Sequence, residues 1–301
     1  MVLKFKYVIA ALLLLSTPPV LAALNVLACE PEWGELAKEI GGDRINIYVA
    51  TNALQDPHHI EARPSLIARA RNADLVVCTG AQLEIGWLPL LQTQSGNSRI
   101  QAGQPGYFEA SRYVLKLEVP QQVDRVQGDV HPAGNPHIHL SPYNIEKVAT
   151  ALSERMAQIN GVDAAYYQKR TEAFLSRWRQ AILQWEQRAA PLKGMPLVVY
   201  HKNFSYLINW LGMKIIGDLE PKPGLPPTTA HLSELLASLA STPARAVVRA
   251  PYNDPRAVDW LAERAKLPAV MLPFTVGGSP LAQDLFSLYD DTLSRLLAVV
   301  K

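Results

Sequence analysis

The chain has 301 residues, 49% of them hydrophobic, with 29 Lys and Arg against 27 Asp and Glu. This composition excludes extended disorder, and so small a positive surplus leaves no electrostatic footprint for nucleic acid or an anionic membrane surface. The surplus itself sits in the first 22 residues, where Lys4 and Lys6 are the only charges; without that segment the count is 27 against 27.

Residues 1–22 read as an export signal. Lys4 and Lys6 form a basic n-region, Tyr7 to Ser16 an apolar core, and Val20-Leu21-Ala22 the small-residue cleavage chemistry ahead of Ala23. The apolar run is too short for a comfortable membrane span, and no cysteine stands at the junction to carry a lipid. Removing 22 of 301 residues leaves 279, enough for two medium domains. The expected location is periplasmic, where Cys29 and Cys78, each at the end of a strand-like run, are a reasonable disulfide. Two buried free thiols are the alternative.

The first half alternates strand and helix signals. A strand at 24–29 precedes Trp33, Leu36, Ala37 and Ile40, which recur as one apolar helix face until Gly41-Gly42 stops it. Ile45 to Ala50 reads as the next strand. Ser65 is expected to cap a short helix ahead of a strand at 74–78, and Thr79-Gly80 to lead into a helix with Trp87 near its middle. Residues 94–135 are irregular. Tyr167, Phe174, Trp178, Ile182 and Trp185 then recur at spacings of seven, four, four and three, predicting one long helix over 164–189. The second half repeats the rhythm, with strands at 196–200, 213–216, 244–249 and 268–272 and helices at 203–211, 230–240, 254–265 and 281–299. Such alternation implies mainly parallel sheets. The expected fold is α/β: an N-terminal lobe at 23–160 and a C-terminal lobe at 191–301, joined by a rigid linker helix at 161–190.

Three histidines stand where strand signals run out: His58 in Asp56-Pro57-His58, His137 in Asn135-Pro136-His137, and His201 in Val199-Tyr200-His201. They are 79 and 64 residues apart, so only tertiary structure could bring them together. Ligands of open parallel sheets bind beyond the carboxyl ends of strands, which suits a cleft between the lobes. Neutral imidazole is the commonest metal ligand, and three imidazoles without thiolate suit zinc more than oxygen-seeking manganese.

These motifs resemble the metal-binding solute receptors of bacterial ABC importers, the group that handles zinc and manganese. The resemblance rests on Asp56-Pro57-His58 with Glu61 and Pro64, on Asp74-Leu75-Val76-Val77 with Gly80-Ala81 and Leu83-Glu84, and on Asn135-Pro136-His137 before Ser141-Pro142-Tyr143-Asn144. It extends through Val198-Val199-Tyr200-His201 and Glu220-Pro221. It implies a periplasmic zinc receptor that delivers its ion to a membrane permease, with His58 and His137 as first-lobe ligands and His201 as a second-lobe ligand. It implies a monomer without catalytic activity or nucleic-acid partner. A zinc chaperone or an adhesin on the same fold, and a zinc-dependent hydrolase, are the alternatives. No His-Glu-x-x-His pair supports the last.

Two departures bear on the site. The family usually supplies an acidic fourth ligand after the last strand, whereas this chain has Val270-Met271-Leu272-Pro273-Phe274-Thr275-Val276-Gly277-Gly278, which cannot clamp the ion and is expected to be mobile. Water, Asp284 and His139 are the candidates for the open position, His139 facing the same way as His137 if the segment is extended. The family's loop rich in His and acid is reduced to Asp129 and His131. His131 is expected to be an exposed loop residue, His59 a solvent-facing one, and His231 part of a helix start.

Overall fold

The structure, a computed structural model, describes residues 23–121 and 131–300. The export-signal reading of 1–22 and Asp129 lie outside the described residues.

The first half forms β1 (Leu24–Ala28), α1 (Pro31–Gly41), β2 (Ile45–Val49), α2 (Pro64–Arg71), β3 (Leu75–Cys78), α3 (Leu88–Ser95) and β4 (Tyr107–Glu109). Helices α4 (Pro142–Ile159) and α5 (Ala164–Ala189) follow. The second half forms β5 (Pro196–Val199), α6 (Ser205–Trp210), β6 (Lys214–Asp218), α7 (Thr229–Leu239), β7 (Ala246–Arg249), α8 (Pro255–Ala265), β8 (Ala269–Met271) and α9 (Leu285–Val300). Both sheets are parallel and share one topology, in the orders β2-β1-β3-β4 and β6-β5-β7-β8. The central strands β3 and β5 are apolar throughout, as strands covered on both faces must be: every residue of β3 is buried, as are Leu197, Val198 and Val199 of β5.

Several expectations differ from the structure. Strand β4 pairs with β3 inside the region taken as irregular; at three residues it is too short to show a period. Ser65 does not cap α2, because Pro64 already occupies the first helical turn and the Ser65 hydroxyl accepts from Arg63 Nε. Trp87 stands at the start of α3 rather than mid-helix. Residues 79–87 form a turn, in which Gly80, Ala81 and Gln82 all have positive φ and Glu84 accepts from the amides of Thr79 (2.7 Å) and Gly80 (3.0 Å).

Helix α5 spans 26 residues, about 39 Å at ~1.5 Å per residue. It packs on α1, α4 and α9. Trp178 donates from its indole to Pro142 O and Trp185 to Asp290 Oδ1, while Trp185 stacks on Tyr289 at 4.8 Å. Residues of β3 (Leu75, Val77), α5 (Phe174, Trp178), β5 (Leu197, Val199) and α9 (Leu288, Leu293) belong to one continuous apolar core. The two halves are therefore welded along one side and open only on the other.

At the carboxyl end of the first sheet, Cys29 and Cys78 form a disulfide across neighbouring parallel strands, with Cα atoms 4.8 Å apart. Replacing both cysteines with alanine should lower the free energy of unfolding by about 4 kcal/mol, the chain-entropy value for a link across 49 residues. Urea titration of the two proteins checks this. The shared core also forbids large hinge closure, so solution X-ray scattering should return the same radius of gyration with and without zinc. Hydrogen-exchange protection on zinc binding should be confined to the loops at 56–59, 131–139, 201–203 and 272–282.

Candidate metal centre

His58 is oriented by the residue two positions before it. Asp56 Oδ1 accepts from the His58 amide at 3.0 Å and lies 2.7 Å from His58 Nδ1, so the Asp-Pro-His turn fixes ring and backbone together. Burial opposes the charge on Asp56, but its bonds to His58 prevail and hold the carboxyl below its ordinary range. The turn at 79–87 braces this loop: Trp87 Nε1 donates to Pro57 O at 2.9 Å, and Gly86 lies so close that a Cβ there would stand 3.1 Å from His58 O. Beneath the turn, burial raises Glu84 to about 7. Burial, reinforced by the charges of Glu84 and Glu32, also raises Glu30 well above its ordinary value.

His137 does not end a strand. It leads into a tight turn at 138–140, and Asn135 sets it there. Asn135 Oδ1 accepts from the His137 amide at 2.9 Å, while Nδ2 donates to Glu118 Oε2 at 2.9 Å and to Lys202 O at 2.7 Å. The last bond crosses to the second sheet and ties the His137 loop to the residue after His201. The His137 ring is 1% exposed, and neither of its nitrogens has a hydrogen-bond partner. Burial, together with the positive potential of His58, His201, His131 and His139, depresses its pKa well below the usual imidazole value. The ring is neutral, with its nitrogens unpaired.

His201 sits two residues beyond β5. Glu220 Oε2 lies 2.7 Å from its Nδ1 and also accepts from the Gly224 amide. Burial works against charge on His201, but the Glu220 hydrogen bond and charge outweigh it and raise its pKa. Both His58 and His201 therefore direct Nδ1 at a carboxylate and leave Nε2 for the cleft, the arrangement that gives a metal-binding imidazole its tautomer and orientation.

The three rings converge. Their centroids are 5.4 Å (His58–His137), 5.9 Å (His58–His201) and 5.6 Å (His137–His201) apart. One nitrogen from each falls within 4.8 Å of the others. They stand at a cleft of about 360 Å³ lined also by Asn135, Pro136 and Lys202.

A fourth imidazole enters the same cleft. His131, expected to be exposed, is half-buried, with its Nε2 3.2 Å from His58 Nε2 and its ring 5.2 Å from that of His58. Burial and the two neighbouring histidines lower its pKa to about 4. His131 precedes a proline, whereas His58 and His137 follow one, and one histidine in a long irregular stretch gave nothing to place it.

The other expected neighbours are engaged elsewhere. His139 does not face the cleft beside His137, because the backbone turns instead of extending. Its Nε2 donates to Phe274 O at 2.9 Å, and its Nδ1 lies 3.1 Å from Glu32 Oε1. Asp284 is exposed and accepts from the Ser287 amide at the start of α9. The segment thought mobile is anchored: Leu272, Phe274, Thr275 and Val276 are buried, and Thr275 donates to Glu32 Oε2. Phe274 packs edge-on against both His137 (5.4 Å) and His139 (4.8 Å), closing that side with hydrocarbon. His59 is exposed. His231 lies in the first turn of α7, its amide donating to the Thr228 cap and its Nε2 2.8 Å from Asp218 O.

Comparison with known proteins agrees with this architecture. Residues 26–298 match the family model ZnuA, described as the periplasmic zinc-uptake complex component A. The chain is 23% identical over 273 residues to the high-affinity zinc uptake system protein ZnuA of Yersinia pestis, covering 85% of this chain and 84% of that one. It is 21% identical over 271 residues to its namesake in Bacillus subtilis, covering 89% and 83%. A crystal structure of ZnuA superimposes with a TM-score of 0.76 at 20% identity, covering 93% of this chain and all of that one. The chain belongs to the ZnuA family, the periplasmic zinc-binding receptors of ABC importers.

Proposed function

We propose that His58, His137 and His201 are the residues through which this receptor holds zinc for its permease. The carrying observation is His137. A buried imidazole with two unpaired nitrogens costs roughly 1–3 kcal/mol per nitrogen in a protein with nothing to bind there. A zinc ion, bonded at ~2.0–2.1 Å to nitrogen, takes up that lone pair. The carboxylates on His58 and His201 support the same reading, since each fixes a ring with its free nitrogen toward the others.

The ion is cargo. It is neither turned over nor used to activate water: the nearby carboxylates are committed elsewhere, Asp56 and Glu220 to the Nδ1 atoms of His58 and His201, Glu118 to Asn135 and Ser205, and Glu32 to Thr275. The protein acts as a monomer without a nucleic-acid partner, and its lobes comprise 23–160 and 191–301 about a spine at 161–190. Release then requires local rearrangement of the ligand loops on the open side, where a permease would dock.

Three outcomes test this reading. Each of His58→Ala, His137→Ala and His201→Ala should weaken zinc binding by orders of magnitude in competition with a chelator, while the metal-free fold stays intact; unchanged affinity in all three removes the assignment. His137→Leu should abolish binding and raise the melting temperature of the metal-free protein, because two unsatisfied buried nitrogens disappear; a lower melting temperature would contradict the accounting. For pH, binding requires neutral imidazoles. His137 is already neutral and releases nothing, whereas His201, with its raised pKa, binds a proton to higher pH and must lose it. Affinity should therefore fall as pH drops through and below the raised His201 pKa. Calorimetry in buffers of different ionisation enthalpy near pH 6.5–7 should count clearly fewer than three protons released per zinc.

A further inference from the structure

We infer that His131 is a fourth zinc ligand, completing an all-imidazole site from which carboxylate is excluded. The inference rests on the three-histidine reading and deepens it. Tetrahedral zinc with Zn–N bonds of ~2.0–2.1 Å sets its ligand nitrogens ~3.4 Å apart. His131 Nε2 and His58 Nε2 are already 3.2 Å apart. The two rings meet through nitrogen edges, not faces, with an interplanar angle of 32° at 5.2 Å. His131 is the outermost of the four, its ring 6.5 Å from that of His137, so it approaches from the open side of the cleft.

The surroundings explain why this position falls to an imidazole. On the protein side, Phe274 stands against His137 and presents no donor. His139 is turned away from the cleft, its Nε2 bonded to Phe274 O and its Nδ1 3.1 Å from Glu32 Oε1, and Asp284 is exposed at the start of α9. Among the described residues, His131 is the remaining imidazole lining the cleft, with its Nε2 against that of His58. It is held in place by local backbone: the Gly134 amide donates to His131 O at 2.9 Å, and Gly134 has φ +99°, a conformation glycine tolerates. The next residue, Asn135, is the one that sets His137. The fourth ligand and the second are thus parts of one short, cross-braced segment.

Charge balance also favours this set. Four neutral imidazoles leave the dication's charge uncompensated at the metal itself, but the Asp56 and Glu220 carboxylates lie one hydrogen bond away. Two negative charges thus balance two positive ones at second hand, through polarised imidazoles. Such a site suits zinc and disfavours manganese, which prefers oxygen donors.

The experiment uses the full mature chain, with His131→Ala and His131→Gln beside the three single alanine variants of His58, His137 and His201. Zinc affinity is measured by chelator competition and the ligand set by X-ray absorption. The visible spectrum of the cobalt(II)-substituted protein reports the change of donor independently. Wild-type protein should show the outer-shell scattering of four imidazoles, and both His131 variants that of three plus an oxygen ligand, with affinity reduced roughly 10- to 100-fold. The preference for zinc over manganese should shrink in the same variants. Wild-type affinity and an unchanged cobalt spectrum in both His131 variants would overturn the fourth-ligand assignment while leaving the other three standing. Retention of zinc by the His58, His137 and His201 variants would instead overturn the underlying site.

Discussion

The apolar seam along α5 is the constraint on which the rest of this molecule depends. A two-sheet receptor could be built as two separate cores on a hinge, and ligand capture would then be a closing motion. Here Phe174, Trp178, Ile182 and Trp185 are shared between the sheets through α4 and α9, and Leu75 and Leu197 belong to one core. Opening the lobes would expose that seam to water, at ~25 cal/mol for each Å² of apolar surface. The geometry of the cleft is therefore set before any ion arrives, and the histidines are positioned by the packing and hydrogen bonds of the fold, not by the ion.

Rigidity of this kind has a local cost, which falls on His137. In a mobile site the ring would rotate to find water or a carbonyl when empty. Asn135 prevents this by holding the His137 amide with Oδ1 and reaching across to Lys202 O with Nδ2. Buried polar groups are normally satisfied; this one is kept unsatisfied by its neighbours' satisfaction. Among the described residues, His137 alone has both ring nitrogens buried without a hydrogen-bond partner, while the surrounding polar groups, Asn135, Glu118, Tyr206 and Ser205, bond to one another. Binding energy for the ion is thus stored as an unmet hydrogen-bonding demand.

The sequence made the scaffold legible because apolar periodicity is a property of contiguous residues. The 164–189 helix and most strands follow from spacing alone, and the ends of α1 and α5 needed only glycine and aromatic positions. What failed was of another kind. Strand β4 is stabilised by its neighbour β3 and carries no periodic signal of its own. The Thr79–Trp87 turn is held by Glu84 reaching back to two amides, a bond that no local propensity reports. At the site, Asp56 was legible in principle, since an aspartate two residues before a histidine is a turn-forming pair. Glu220 and His131 were not, because they meet His201 and His58 only through the fold, 19 and 73 residues away along the chain. His139 misled for the opposite reason: alternation would have set it beside His137, but the backbone turns at 138–140 and sends it to Glu32.

That diversion has a structural purpose. Glu32, His139, Phe274 and Thr275 form a buried strut joining α1 of the first half to the segment after β8 in the second. Tyr289 of α9 closes it by donating to His139 O. The strut occupies the place where the family usually presents an acidic ligand, and it turns that segment from a metal clamp into a fixed hydrocarbon wall. The wall carries no carboxylate to bond to the ion directly. Of the nearby carboxylates, Asp56 and Glu220 act through imidazole, and Glu118 is held by Asn135 and Ser205. A carboxylate on the metal would attract oxygen-seeking ions as well as zinc; a carboxylate behind a histidine strengthens the nitrogen and attracts none of them. Moving negative charge from the ion to the far side of its ligands is thus how a rigid, neutral-donor cleft combines charge balance with preference for zinc.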